Sequence, residues 1–274
     1  MAWQPLHLSF FVCLVLPAPV LGHGPIHEQI EEVTRRIERE PRNAQLYLKR
    51  AELHRFHNDW RAALLDYQRT RRLDPALDVV DFCEGRMLLE SGSVEQAKRT
   101  LDRFLSRHAD DPEALWLRAR AEARLDRNEA AIEDYTRALA RFADPTPENF
   151  IERARALAAA GRTEQAIAGL DQAIEKLGPL VTLELPAIDF ELELRRYDPA
   201  LARLDRLMKQ SPRKESWLAR RGEILARAGR DREARESFAL ALKELESLPP
   251  RLQATKAMKD LEKQCRASLA GSYR

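Results

Sequence analysis

Six alanines recur along the chain at nearly constant spacing: Ala63, Ala97, Ala131, Ala166, Ala200 and Ala234, separated by 34, 34, 35, 34 and 34 residues. Four residues after each stands a larger apolar side chain: Tyr67, Leu101, Tyr135, Leu170, Leu204 and Phe238. Twelve residues before each stands Ala51, Gly85, Ala119, Ala154, Ile188 or Gly222. Three columns in step over six units mark an internal repeat, and a repeat of this length limits the fold more than any local propensity does.

Helix geometry gives the columns their meaning. A small residue lets two helix axes approach closely, and the larger residue one turn later fills the space beside the contact. Between the two helices of each unit the chain reads Asn58, Gly92, Asp126, Gly161, Arg195 and Gly229. Glycine, and to a lesser degree Asn or Asp, takes the left-handed conformation that ends a helix. Pro41, Pro75, Pro112, Pro145 and Pro212 fall between units, where one helix stops and the next begins. Each unit is therefore helix, turn, helix, and its apolar face is buried only by stacking on a neighbour.

The spacing, with segments such as LYLKRAELH, RAALLDY and GRTEQAIAGL, resembles tetratricopeptide repeats across residues 44–248. The units fall at 44–77, 78–111, 112–146, 147–180, 181–214 and 215–248. The resemblance implies an all-α solenoid, a right-handed superhelix whose concave groove is lined by the first helix of each unit. Residues 25–39, with Ile26, Ile30, Val33 and Ile37 on one face, read as a capping helix at one end. Met258, Leu261, Cys265 and Leu269 form the matching stripe in the C-terminal segment, residues 249–274. Repeat five departs from the pattern: Pro186 falls in its first helix, Arg195 replaces the turn glycine and Ile188 the small residue. The proline predicts a helix that starts late, near Leu185, or is kinked.

Superposing the first helices gives two further columns. One reads Leu48, Phe82, Trp116, Ile151, Leu185 and Ala219; one turn on, the other reads Glu52, Arg86, Arg120, Arg155, Asp189 and Glu223. In the family these two places commonly face the groove. On that reading Leu48, Phe82, Arg86, Trp116, Arg120, Ile151 and Arg155 form a partner-binding groove for a peptide with apolar and acidic residues. The competing reading packs Phe82 and Trp116 between first helices and pairs the arginines with Glu84, Glu90 or Glu122. Leu48 and Glu52 stand where the family's peptide clamp needs Lys and Asn, so that clamp is not expected.

The first 22 residues contain no Asp, Glu, Lys or Arg, and an apolar run at residues 8–16 ends at Pro17 and Pro19. The run is too short to span a bilayer. With Val20 and Gly22 before His23, it reads as a secretory signal peptide, although the usual basic start is missing. Export to a bacterial periplasm or secretion follows, with an uncleaved anchor as the alternative. Formal charge of +2 argues against nucleic acid as the partner. Of the 46 cationic residues 37 are arginine, for which biased composition is the simplest source. Beyond the leader, Cys83 and Cys265 lie too many helices apart for a disulfide, so packing holds the fold.

No phosphate-cradling Gly-rich loop, calcium loop or paired-cysteine zinc pattern is present, so no cofactor and no enzymatic activity are expected. One metal arrangement stands apart: a free amino-terminal His23 with His27 four residues on, an amine and two imidazoles that suit copper. The expectation is a non-enzymatic binding scaffold. The alternatives are a structural subunit of an envelope assembly and a copper carrier.

Overall fold

The computed structural model describes residues 24–271, which contain 15 helices and no strand. The stretch expected to be a signal peptide, and His23, lie outside the described residues. In chain order the helices are α1 (Gly24–Arg39), α2 (Ala44–Phe56), α3 (Trp60–Leu73), α4 (Val79–Glu90), α5 (Val94–Leu105), α6 (Pro112–Arg124), α7 (Asn128–Leu139) and α8 (Pro147–Ala159). They continue as α9 (Thr163–Leu177), α10 (Val181–Glu193), α11 (Tyr197–Gln210), α12 (Glu215–Arg227), α13 (Asp231–Glu246), α14 (Pro250–Gln253) and α15 (Lys256–Ala270). No described helix is long and apolar enough to cross a membrane.

The anchor alanines are all fully buried, and the larger residues one turn later are at most 3% exposed. The six turn positions all have positive φ: Asn58 62°, Gly92 85°, Asp126 58°, Gly161 74°, Arg195 55° and Gly229 72°. At five of them the sequence supplies the residue types that tolerate this conformation; Arg195 does not belong to that set. Some helix starts are fixed by side-chain caps. Asp59 accepts from Ala62 N at 3.2 Å and Asp111 from Ala114 N at 2.8 Å, with Pro112 in the first helical position.

Two compact units divide at Met87 and Leu88, inside α4. In the first, α1 lies on α2, and Val33 and Ile37 join Leu46, Tyr47 and Leu53 in one core. Arg50 grips Asp66 through two hydrogen bonds of 2.7 and 2.9 Å, tying α2 to α3. In the second unit α6 packs on α7, α8 on α9, α10 on α11 and α12 on α13, with α5–α6, α7–α8, α9–α10 and α11–α12 joining successive hairpins. Arg118 repeats the grip of Arg50 two repeats further on, meeting Asp134 at 2.6 and 2.8 Å and Asp102 at 2.9 Å. At the C-terminal end α15 covers α12 and α13 and buries Cys265 completely. Cys83 and Cys265 are both buried, and neither is in a disulfide.

Repeat five corrects one expectation. Helix α10 begins at Val181, not near Leu185, and carries Pro186 inside it. Gly178, at φ 90°, closes α9, and the Leu180 carbonyl accepts from Leu183 N and Glu184 N at 3.0 Å each. The first turn thus forms ahead of the proline. Pro186 gives up its own i−4 hydrogen bond, and its ring crowds the carbonyl of Thr182 four residues before it. Ile188 replaces the small residue where its partner column holds Leu204, whereas Gly222 accompanies the bulkier Phe238. All four are buried in one core cluster, or directly against it.

Candidate peptide-binding recess

Three helices of the second unit build the recess. Arg120 and Arg124 stand one turn apart on α6, as do Glu152 and Arg155 on α8. Tyr135 reaches in from α7. Between them lies an open cavity of about 310 Å3, with Ala123, Ala156 and Ala159 along its lining and Asp126 and Asn128 beside them. The small side chains keep the space open. The recess holds three guanidinium groups against two carboxylates.

The cations differ in how far they are committed. Arg124 Nη1 donates to the Leu89 carbonyl at 2.8 Å. Arg120, with its side chain 40% exposed, meets Glu152 at 3.5 Å, beyond a good charge-assisted bond. Arg155 is exposed and makes no hydrogen bond or ion pair with any described residue. Glu152 is held from the other side by the Tyr135 hydroxyl, which donates to it at 3.3 Å. Burial, and then the Glu152 charge, push the Tyr135 hydroxyl well above the usual phenol range, so it stays protonated and remains a donor.

The structure divides the sequence-derived groove residues. Trp116 and Ile151 are buried, and the Trp116 ring lies 4.4 Å from Tyr135 and 5.9 Å from Phe142. The Trp116 ring packs against Tyr135, and little of either apolar side chain is open to a partner. Arg120 and Arg155 come together in the recess; Leu48, Phe82 and Arg86 belong to the first unit. There Leu48 and Phe82 are half-buried, and the Arg86 guanidinium lies 5.5 Å from the Phe82 ring centre. Arg86 donates to Glu52 at 2.6 Å, and Glu52 also receives the Tyr67 hydroxyl and Arg55. The same Tyr–Glu–Arg chemistry is thus closed in the first unit and loosely engaged in the second.

Sequence reasoning missed Arg124, Tyr135 and Glu152 as recess residues. Tyr135 was legible only as a packing residue of the repeat. Glu152 precedes Arg155 by three residues and so shares its helix face, which is the signal that could have found it.

A family model for the tetratricopeptide repeat matches residues 84–147 and 189–249. Among solved structures, the C-terminal part of a repeat-containing protein from Cytophaga hutchinsonii is similar, with TM-score 0.68 and 15% identity, over 86% of this chain and 94% of that one. A tetratricopeptide repeat protein from Parabacteroides merdae aligns with TM-score 0.58 and 16% identity, over 89% and 93%. YrrB, described as a tetratricopeptide repeat protein with an unusual peptide-binding site, aligns with TM-score 0.57 and 18% identity, over 67% and 94%. A search of curated proteins by sequence finds no match. The repeats and turns define an all-α solenoid of the tetratricopeptide type. The chain matches the tetratricopeptide repeat model in two stretches and shares the fold of solved tetratricopeptide repeat proteins.

Proposed function

We propose that the chain is a non-enzymatic scaffold, exported from the cytoplasm, that holds an extended acidic peptide segment of a protein partner. A carboxylate side chain of that segment sits between Arg120 and Arg155. The observation that carries this reading is the uncommitted charge: Arg155 has no partner among the described residues, and Arg120 has only a 3.5 Å contact, beside an open cavity. A ligand carboxylate supplies both with the bidentate geometry that guanidinium favours. The helices already fix these side chains, so docking orders little of the protein. The peptide site named for YrrB supports a peptide as the occupant class. Export rests on the uncharged 22-residue start and its short apolar run.

The test is selection from a random peptide display library, with binding of the enriched peptides measured by fluorescence anisotropy. Acidic peptides are expected from the wild-type chain. Arg120→Glu and Arg155→Glu should each weaken them about tenfold, the equivalent of roughly 1.4 kcal/mol. Glu152→Gln removes the competing carboxylate and tightens binding. Enriched peptides without acidic residues, or indifferent to both reversals, would overturn the reading.

A further inference from the structure

We infer that His27 and His57 together form a labile two-imidazole site for a divalent transition metal, joining the capping helix α1 to the first repeat. Their rings stand 4.5 Å apart, centre to centre, inclined at 62°. His27 lies on α1 and is exposed, so its ring is free to reorient about the side-chain torsions. His57 is the C-terminal cap residue of α2, half-buried and fixed by its backbone bond to Leu53 O at 3.1 Å. A tetrahedral ion with metal–nitrogen bonds near 2.0–2.1 Å needs its two imidazole nitrogens roughly 3.3 Å apart. The rings already lie in contact, so a shift of the exposed His27 side chain is the change that binding requires. Each imidazole carries two nitrogens, so one binds the ion while the other keeps any hydrogen bond it already has.

The neighbouring groups define the limits of the site. His54, one turn before His57, is directed to Asp59 at 3.7 Å, and Asp59 is committed to capping α3. No group of three or more His, Cys, Asp or Glu side chains among the described residues is placed to hold a metal ion. The site therefore offers two protein ligands, with water completing the coordination, and the ion exchanges readily. Imidazole pairs of this kind suit Cu2+, Ni2+ and Zn2+, with Cu2+ bound most tightly of the three. The pairing differs from the sequence-based one, in which His27 acts with the amino terminus and His23. The inference stands independently of the peptide recess, which lies in the other unit.

The test adds Cu2+ to the full chain without an affinity tag and records electron paramagnetic resonance spectra. The expected spectrum carries hyperfine structure from two imidazole nitrogens. His27→Ala and His57→Ala should each abolish the two-nitrogen signal, while His54→Gln keeps it. Thermal unfolding should shift upward with Cu2+ in the wild type and not in the His27 or His57 variants. His57→Gln serves if His57→Ala lowers the helical circular dichroism. Loss on His27→Ala alone assigns the copper to the amino terminus and overturns the site. Loss on His54→Gln, or retention in both the His27 and His57 variants, overturns it equally.

Discussion

A Cβ atom on Gly222 would stand 2.8 Å from the ring of Phe238, closer than two such atoms can rest. Both residues are buried, Phe238 completely. Gly222→Ala gains helix propensity of up to about 1 kcal/mol but forces overpacking that costs about 1–3 kcal/mol. A net loss of roughly 1 kcal/mol is expected, read as a lower urea midpoint. Phe238→Leu relieves the clash, so the double variant should be less destabilised than the sum of the singles, by about 0.5 kcal/mol or more. Additive losses would show that the two side chains do not share the space.

Arg195 carries φ 55° at a turn where three other repeats use glycine. Holding a residue with a Cβ in the left-handed region costs roughly 1–2 kcal/mol, partly offset by the greater chain entropy glycine loses on folding. Arg195→Gly should raise stability by about 0.5–1 kcal/mol, while Gly161→Ala should lower it by about 1 kcal/mol. Urea titrations of the two variants check both signs. A destabilised Arg195→Gly would mean that the arginine side chain contributes more than its backbone costs.

Glu184 is wholly buried in α10 and bonded to Arg203 at 3.3 Å and to Arg206 at 3.0 and 3.2 Å. Arg203 is itself buried, and Asp171 and Glu191 complete its surroundings at 2.7 and 3.6 Å. Removing one partner of a buried ion pair strands the other, at a cost of about 3–5 kcal/mol. Because Arg203 keeps two further carboxylates, Glu184→Ala should fall near the lower end, about 3 kcal/mol. A loss under about 1 kcal/mol would show that the network rearranges freely.

These particulars mark how far the sequence was legible. The alanine columns and the six turns could be read because helix closeness and left-handed backbone demand particular residue types at fixed intervals. Trp116 could not be placed, since an aromatic on a helix serves a groove or a wall equally well, and its neighbours Tyr135 and Phe142 come from later in the chain. The Glu184–Arg203 network was invisible for a related reason: abundant arginines give no hint of which carboxylate each one meets. A periodic signal was nevertheless present. Arg127, Arg162, Arg196 and Arg230 follow the turn residues, and each reaches an acid of the preceding repeat, Glu95, Glu129, Glu164 and Asp198, at 2.8–3.3 Å. Part of the arginine excess is therefore structural.

His54 gives a pH dependence of definite sign. Burial first, opposed by Asp66 and Asp59, holds its imidazole below the usual value. The unfolded chain then takes up a proton at a higher pH than the folded one. Stability from this group is fully present above the ordinary imidazole range and is lost as pH falls through the unfolded and then the folded value. His54→Gln should flatten the stability profile between about pH 7 and pH 5. An unchanged slope would assign that pH dependence to other groups.

The proposed peptide site is the recess between α6, α7 and α8. Arginine side-chain Nε–H resonances, assigned by substitution and followed by NMR while a selected acidic peptide is added, report on it directly. Shifts of Arg120 and Arg155, with Arg50 and Arg86 unmoved, are the predicted result. Saturable binding that leaves Arg120 and Arg155 unchanged would contradict it.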